Sequence, residues 1–418
     1  MNELMNETTD YNSKENIDNE ILKKIIGFIN STENKNECNI CFNTLNANMS
    51  GNYTLLKDKN IINKHMMDTS IIILTANRFE RNVLHIKAKD EGQTIYQIEM
   101  ESIGTGDKRL IINAYFFSIA GYNVLHMTAN QTGSYSMGGS ADLIRLALNN
   151  QYCFPDAIIS FGLCFGNDYH KQQFGNTIIA NKIYPYFMSA HVDDDGIRIE
   201  DNNIFDIDNR LSVQIHNMRE NGVLKESEGE YIGRLITGEA VISNEIIKQV
   251  FIRAAAGGQK ILGGEMEGYG LFKECRGYEH KIKCLIIKSI CDWGAMKNID
   301  ADILIEKDMD TNIKDKIQAF AVYRAYDVLI KILRNNHPIF KHSLYEVVSD
   351  KIIYNKENKY MDSLSKRDLL NMIRSELGEM DLCKTVTGEY IDLFIKRLFK
   401  DNIIKKIQEE IWEVLPRN

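Results

Sequence analysis

The sequence predicts an α/β fold with a mixed central sheet flanked by helices, followed by a small C-terminal α+β unit. Apolar runs typical of buried strands alternate with amphipathic helical patterns over most of the chain. At 418 residues the chain exceeds the usual size of one domain, so more than one folded unit is expected. One of only four prolines follows His337 and marks the boundary between the two units, because the residue before proline is disfavoured in a helix.

Residues 1–66 are predicted to form a flexible arm and a docking helix. About the first 20 residues are rich in Asn, Asp and Glu, and they bury too little apolar surface to remain ordered. From Glu20 to Asn30 the apolar residues keep helical spacing, so this helix should dock on the main domain or on a partner.

Residues 67–336 contain the alternating pattern of the α/β unit. The predicted strands cover 71–75, 94–100, 111–117, 122–127, 157–161, 177–184 and 284–291. The predicted helices cover 78–88, 140–149, 243–255, 265–278 and 311–334. Apolar residues keep helical spacing along the last of these helices, which should therefore cap the sheet.

Residues 339–418 are predicted to form a winged-helix-like unit. Amphipathic helices are indicated at Ser365 to Leu377 and at Thr387 to Lys400, and a hairpin at Ile403 to Ile407 and Ile411 to Leu415. Helix, helix, hairpin is the order of a winged helix, which binds DNA or other proteins. The charges of this unit are mixed, which favours a protein partner over DNA.

Composition excludes several classes of protein. The formal net charge is −8, with 50 basic and 58 acidic residues, which disfavours a protein that coats nucleic acid. The eight cysteines include several in apolar runs, as is typical of reduced thiols, so a cytoplasmic protein is expected. No apolar run approaches a membrane span. No cofactor or metal is predicted: Cys38 and Cys41 lack a second ligand pair, and Asp193 to Asp195 resemble a solvated loop.

Two carboxylates stand out among the candidate functional residues. Glu267 lies in the segment Gly264 to Gly268, at the predicted start of a helix, and Asp292 directly follows an apolar strand. Active sites of open α/β sheets lie beyond the carboxyl ends of the strands. An Asp there can donate a proton, and a Glu at a helix start can accept hydrogen bonds from sugar hydroxyls. The alternative is that the two are unrelated surface carboxylates.

At these residues the chain resembles the nucleoside phosphorylase and nucleosidase superfamily, which includes the methylthioadenosine/S-adenosylhomocysteine nucleosidases. The resemblance extends from about Met67 to Arg334, with the matching segments in family order. They are Ile71 to Ala76 with Glu80, Ser136 to Ser140, Pro155 to Gly166, Thr237 to Ile242, Gly263 to Gly268 and Ile290 to Trp293.

The resemblance implies a role for each matched residue. Asp292 would protonate the leaving purine at N7, within apolar surroundings provided by Cys291 and Trp293. Cys291 stands where the family has Ser. Glu80 would activate the attacking water, and Glu267 would bind the ribose hydroxyls.

Five further substrate-binding positions follow from the same resemblance. Met266 would pack on the sugar, and Gly138 and Ser140 belong to the Gly-rich turn near the nucleophile and ribose. Gly162 lines the exit of the central strand. Val241 would pack on the base, at a position where many family members carry an aromatic residue.

The expected activity is hydrolysis of the N-glycosidic bond of a purine nucleoside or nucleotide, with adenine as the expected base. The module resembles nucleotide-degrading effectors of bacterial antiviral systems, and family members commonly form homo-oligomers. Two alternatives remain open: a phosphate-dependent purine nucleoside phosphorylase, and a nucleoside-sensing regulator without turnover whose C-terminal unit binds DNA or protein.

Overall fold

The computed structural model describes most of the chain. The described residues are 11–47, 53–103, 109–129, 133, 137–186, 190–193, 196–199, 204–239, 241–276, 282–294, 312–335, 337–358, 360–377, 386–408 and 411–414. Their helices are α1 Tyr11–Asn30, α2 Thr32–Ala47, α3 Lys59–Asp68, α4 Arg78–Asp90, α5 Ser140–Leu148, α6 Asn209–Glu220, α7 Glu245–Ala256, α8 Gly268–Arg276, α9 Ile313–Leu333, α10 Leu344–Glu357, α11 Lys366–Leu377 and α12 Gly388–Lys400. Their strands are β1 Thr54–Leu55, β2 Ile71–Thr75, β3 Tyr96–Ile103, β4 Arg109–Ile119, β5 Tyr122–Thr128, β6 Ala157–Gly166, β7 Thr177–Pro185, β8 Ala190–Asp193, β9 Gly196–Ile199, β10 Phe205–Asp206, β11 Glu230–Thr237, β12 Gly263–Glu265, β13 Lys283–Asp292, β14 Ser363–Ser365, β15 Ile404–Gln408 and β16 Ile411–Val414.

The main sheet is mixed and partly closed. Its described strands follow the order β1-β3-β4-β5-β2-β6-β12-β11-β7-β10, and β13 pairs with both β6 and β7. The strands β6, β12, β11, β7 and β13 therefore form a closed ring of pairings. Parallel pairing of β2 and β13 with β6 brings the carboxyl ends of these three strands to the same edge. The predicted mixed α/β fold is confirmed.

Closure of the ring depends on glycine where β12 crosses the end of β6. A Cβ on Gly263 would collide with the carbonyl oxygen of Phe165, and one on Gly264 would collide with the Phe165 ring. A Cβ on Gly166 would lie 2.6 Å from the ring of Trp293. These close approaches leave no room for a side chain, which explains why positions 166, 263 and 264 are glycine.

Buried apolar strands and capped helices explain why the central elements form. Every residue of β2 is buried, as expected for a strand covered by helices on both faces. The helix after it starts with a capping box, in which Asn77 and Glu80 each bind the other's backbone N–H. This cap fixes Glu80 in the first turn of α4, directly beyond the end of β2.

The N-terminal segment is more helical than the sequence predicted. The helix α1 begins at Tyr11, nine residues before the predicted start of the docking helix, and residues 1–10 lie outside the described part. A second helix, α2, was not predicted, because its Asn-rich sequence has weak amphipathic character. Phe28 of α1 packs 5.1 Å from Phe174, so the helix docks on the α/β unit itself.

The C-terminal segment folds in the order α10, β14, α11, α12, β15, β16, with a three-stranded sheet β14-β16-β15. The helix α10 and the strand β14 add to the elements predicted there. Tyr390 of α12 packs 5.0 Å from Phe154 of the α/β unit, and Arg397 forms an ion pair with Asp68. The Nζ of Lys283, the first residue of β13, donates a hydrogen bond to the carbonyl oxygen of Ile339 over a distance of 3.0 Å. The segment thus packs against the amino ends of central strands.

One predicted boundary near the candidate site is wrong. The predicted helix 265–278 begins only at Gly268, since Gly263–Glu265 form the strand β12. The helix α6 and the strand β11 were also missed, the latter because Gly233 and Arg234 interrupt its apolar run. Within the described part of the chain, no helix is long and apolar enough to cross a membrane.

Candidate active site

Glu80 is buried and tightly held at the carboxyl ends of β2 and β6. Its side chain is 1% exposed. One carboxylate oxygen accepts from the backbone N–H of Ala76 at 2.5 Å, and the other accepts from that of Leu163 at 2.8 Å. Gly162 has φ of +146°, and a Cβ there would overlap the Glu80 carboxylate. Glycine at position 162 therefore makes room for Glu80, in a conformation that other residues rarely adopt.

Lys288 is a buried cation among three buried carboxylates. It lies on β13 opposite Gly162, and its Nζ is 2.9 Å from Oε2 of Glu267. Burial opposes its charge, but the carboxylates of Glu267, Glu80 and Glu265 together raise the pKa of Lys288. Burial raises the pKa of Glu80, while the Lys288 cation opposes that rise. The single cation thus compensates the charge of the neighbouring acids.

Glu265 fixes the turn that carries Glu267. Its carboxylate accepts hydrogen bonds from the backbone N–H groups of Glu267 and Gly268, each at 2.9 Å. These are N–H groups at the start of α8, which lack partners within the helix. Burial raises the pKa of Glu265 to about 7, against the opposing influence of Lys288.

The Gly-rich turn is joined to the Glu267 segment. The Ser140 hydroxyl donates to the carbonyl oxygen of Glu267 at 2.7 Å. Gly138, with φ of +80°, donates its backbone N–H to Asp142 at 2.8 Å, which holds the turn onto α5. Ser136 lies outside the described residues. The structure therefore brings Ser140 and Glu267 together, with Gly138 two residues before Ser140.

Asp292 is the last residue of β13, four positions beyond Lys288. Its Oδ1 accepts from the backbone N–H of Gly294 at 2.7 Å, and the Cys291 thiol donates to its Oδ2 at 3.6 Å. Trp293 is 1% exposed and lies 5.3 Å from the ring of Phe174. The carboxylate thus sits in a compact turn beside a buried indole.

The two predicted packing residues differ in exposure. Met266 is half-buried between the buried Glu265 and Glu267, whereas Val241 is 58% exposed. Three residues before Val241, Gly238 lies against the ring of Tyr186, which stacks on Phe251 at 5.1 Å. Tyr186 is therefore an aromatic neighbour of the segment expected to meet the base.

A chain of hydrogen-bonded side chains links Tyr53, His85, His126 and Thr75. Tyr53 Oη is 2.9 Å from His85 Nδ1, His85 Nε2 is 2.9 Å from His126 Nδ1, and His126 Nε2 is 2.9 Å from Thr75 Oγ1. Burial lowers the pKa of His126 to about 3 and that of His85 well below its usual value. Both imidazoles are therefore neutral, and the chain joins α4 to the ends of β2 and β5.

Of the basic residues that could meet a 5′-phosphate, Arg78, Arg109 and Lys171 are paired with acids, whereas Arg81 donates to Oδ1 of its neighbour Asn82 at 3.2 Å. Arg78 pairs with Asp315 at 2.7 Å, Arg109 with Glu101 at 3.2 Å, and Lys171 with Asp168 at 3.2 Å. Lys108 lies outside the described residues, as does the side chain of Arg198. Among the described side chains, no group of three or more His, Cys, Asp or Glu could hold a metal ion.

Sequence reasoning missed Lys288 and Glu265 as parts of this cluster. A lysine inside an otherwise apolar strand was the available signal, because a buried lysine requires a carboxylate partner. Together the residues provide two buried carboxylates, Glu80 and Glu267, and a third carboxylate, Asp292, at the end of the strand that carries Lys288. This is a set suited to acid–base chemistry.

No family model matches the chain, and no curated protein matches it. Among solved structures it is similar to the 5′-methylthioadenosine/S-adenosylhomocysteine nucleosidase of S. pneumoniae with a transition-state inhibitor, at 16% identity, 64% coverage of this chain, 99% of that chain and a TM-score of 0.45. It is also similar to the S-adenosylhomocysteine nucleosidase of Streptococcus pyogenes, at 16% identity, 64% and 98% coverage and a TM-score of 0.45. The Neisseria meningitidis nucleosidase gives 15% identity, 64% and 99% coverage and a TM-score of 0.44.

All three of these solved structures are nucleosidases. At such identities, the function of this chain has to rest on its own site residues.

Proposed function

We propose that this chain hydrolyses the N-glycosidic bond of a purine nucleoside or nucleotide. The observation that carries the proposal is the buried cluster of Glu80, Glu267 and Lys288, on a strand that ends with Asp292. Breaking such a bond develops positive charge on the sugar, so the site must stabilise that charge and supply a proton to the departing base.

Glu80 orients and deprotonates the attacking water. Backbone N–H groups from β6 and from the turn after β2 hold both of its oxygens, so the carboxylate is preorganised. Burial raises the pKa of Glu80 despite the nearby Lys288, which makes the ionised form a better base.

Glu267 binds the sugar hydroxyls. Lys288 contacts Oε2 of Glu267, and the Ser140 hydroxyl fixes the main chain of the same residue. Glu267 thereby keeps one orientation while it accepts hydrogen bonds from the ribose. Met266, its half-buried neighbour, packs on the sugar.

Asp292 is the general acid that protonates the purine at N7. Its Oδ1 accepts the N–H of Gly294 and its Oδ2 accepts the Cys291 thiol, so contacts from its neighbours along the chain orient the carboxyl group. The amide of Asp292→Asn would keep the shape but could not transfer a proton.

The proposed base, oligomeric state, location and biological role rest on the motif resemblance, on the cysteines and on the segments before and after the α/β unit. Adenine as the base, a homo-oligomeric state and a cytoplasmic location follow from the resemblance and the buried thiols. Helices before the α/β unit and a packed segment after it support a regulated enzyme, for which we propose nucleotide depletion in antiviral defence.

The C-terminal segment is proposed to be a winged-helix-like unit that contacts protein. Its order of helices and strands supports the first part of this proposal. In such units the N-terminal residues of the recognition helix meet the DNA bases. At the corresponding end of α12, Glu389 bonds to Gln151 at 2.8 Å and to Tyr152 at 3.1 Å. This end of the helix is already engaged with the α/β unit, which supports protein contact over DNA binding.

The proposal is tested by incubating the protein with adenosine, inosine, guanosine, methylthioadenosine, AMP and ATP, with and without phosphate. We expect free base and a sugar without a new 1-phosphate, at rates independent of phosphate. Asp292→Asn should lower kcat by about 10²- to 10⁴-fold, whereas the exposed control Asp392→Asn should not. Strict phosphate dependence would make the protein a phosphorylase, and base release from no substrate would leave a nucleoside-binding role.

A further inference from the structure

Lys248 of α7 is a fully buried lysine outside the Glu80 cluster. Its side chain is 0% exposed, and its Nζ lies 2.6 Å from Oε2 of Glu245, one helical turn earlier. Nζ also donates to the carbonyl oxygen of Trp293 at 2.8 Å. A lysine is rarely buried without such partners, because removing its charge from water is costly.

The contacts of Lys248 converge on the turn that follows Asp292. Besides the bond to the Trp293 carbonyl, the aliphatic stem of Lys248 packs against Gly294, where an added Cβ would lie 3.1 Å from Cδ. Gly294 has φ of +64° and donates the hydrogen bond that holds Oδ1 of Asp292. Lys248 therefore fixes both residues that follow the proposed acid.

We propose that Lys248 is a positioning residue for Asp292: it holds the Trp293–Gly294 turn so that the carboxyl group faces the leaving base. This inference rests on the proposed function. Lys248 acts through the turn and does not touch the substrate. Burial lowers the pKa of Lys248, and the carboxylates of Glu245, Asp292 and Asp168 oppose this effect.

A comparison of leaving groups tests the inference. A purine needs protonation to depart, whereas 4-nitrophenolate departs from 4-nitrophenyl riboside without a proton. Lys248→Met should lower kcat for the purine nucleoside by about 30-fold or more, part of the general-acid contribution, with KM within about threefold. It should leave cleavage of the nitrophenyl riboside nearly unchanged.

The control for this comparison is Lys260→Met, an exposed lysine shortly after the same helix, which should change neither rate. If Lys248→Met is too unstable to assay, Lys248→Gln gives the same comparison with a polar side chain. Equal losses on both substrates would overturn the positioning role, because a general structural defect would not distinguish leaving groups.

The second readout is the fluorescence of Trp293, which does not depend on turnover. The chain has two tryptophans, so Trp412→Phe leaves Trp293 as the only reporter. In that background Lys248→Met should change the Trp293 emission, and Lys260→Met should not. Unchanged emission would overturn the contact between Lys248 and the Trp293–Gly294 turn, whether or not the protein cleaves a purine riboside. Failure to cleave any purine riboside would refute the proposed function separately.

Discussion

The charge balance of the site depends on one residue, Lys288. It is the cation that lies among Glu80, Glu265 and Glu267, and its side chain is 1% exposed. Removing one partner of a buried ion pair leaves an uncompensated charge, which is far more costly than removing both. The pairing therefore explains how three acids can be buried at one strand end.

We predict that Lys288→Met lowers the free energy of unfolding by about 3–5 kcal/mol. The double variant Lys288→Met/Glu267→Gln should recover part of that loss, because the amide removes the uncompensated carboxylate. Urea unfolding of the two single variants and the double variant measures the coupling. Lys182→Met, whose ion pair with Asp206 is largely exposed, is the control and should cost less than about 1 kcal/mol. If the loss of unfolding free energy in the double variant equalled the sum of the losses in the two single variants, the ion pair between Lys288 and Glu267 would be contradicted.

Single residues also show what sequence could and could not predict about the site. Glu80, Glu267 and Asp292 were predicted because each lies at the end of a strand or the start of a helix, in a recognisable segment. Lys288 was missed because its role arises from partners distant in sequence, among them Glu80. Glu265 was missed because it holds the backbone N–H groups of Glu267 and Gly268, a contact that no side-chain pattern records.

At the scale of elements, the histidine chain ties α4 to β2 and β5. His126 is 0% exposed and neutral, with its pKa lowered to about 3 by burial. The unfolded chain takes up a proton on this residue below about pH 6.5, and the folded protein does not. Folding is therefore disfavoured progressively as the pH falls from about 6.5 toward 3.

We predict that His126→Gln, which lacks this titration, loses less stability on acidification than the parent does. The measurement is the thermal midpoint at intervals between pH 7 and pH 4, with each protein compared with its own value at pH 7. The exposed His216→Gln serves as the control and should follow the parent. If His126→Gln and the parent showed the same pH dependence, the neutral buried state of His126 would be refuted.

The helix α1 contributes a second lysine near Trp293. Lys24 donates to the carbonyl oxygens of Tyr169 and Gln172, and its Nζ lies 5.1 Å from the Trp293 ring centroid. Hydrogen bonds from a charged donor are each worth about 1.5–3 kcal/mol. The N-terminal helix thus holds the loop that carries Tyr169 and Gln172.

We predict that Lys24→Met lowers the free energy of unfolding by about 1–3 kcal/mol and alters Trp293 emission. Its neighbour Lys23 is exposed on the same helix, so Lys23→Met is a matched control for length and charge. Denaturant titration and fluorescence in the Trp412→Phe background measure both effects. Indistinguishable behaviour of the two variants would show that Lys24 does not brace the loop.

The elements show where periodicity works and where it fails. Long β-branched runs such as Ile71–Thr75 predicted strands, because buried strands in this sheet are apolar on both faces. The three-residue strand β12 is mostly glycine, and its pairing follows from close backbone approach, which a hydrophobic pattern does not record. The start of α8 was misplaced for the same reason.

At the scale of the whole molecule, the C-terminal segment and the candidate site lie at opposite ends of β13. Ile339 is bonded to Lys283 at one end, while Asp292 lies at the other. Tyr390 is 0% exposed and packs between Phe154 and Phe394, so it is a main anchor of the segment.

We predict that Tyr390→Ala destabilises the protein by about 3–5 kcal/mol yet leaves kcat within about threefold of the parent. The cavity weakens the packing of α12 on the α/β unit without touching the site residues. Calorimetry and the nucleoside assay, below the unfolding temperature, measure the two effects. Tyr354→Ala, a 58% exposed tyrosine on α10, is the control. A large fall in kcat with the fold intact would mean that the segment controls the chemistry through β13.

Closure of the strand ring also determines when the site can exist during synthesis. The hydroxyl of Ser140 donates to a carbonyl 127 positions later. The strand β13, which pairs in parallel with β6, is the last strand of the ring to be synthesised. A chain leaving the ribosome exposes Glu80 early, but it has neither Lys288 nor Asp292 until the last strand of the ring has emerged. Until translation has passed β13, the nascent protein therefore lacks part of the candidate site and leaves β6 without one of its strand partners, as an edge that can pair with other chains.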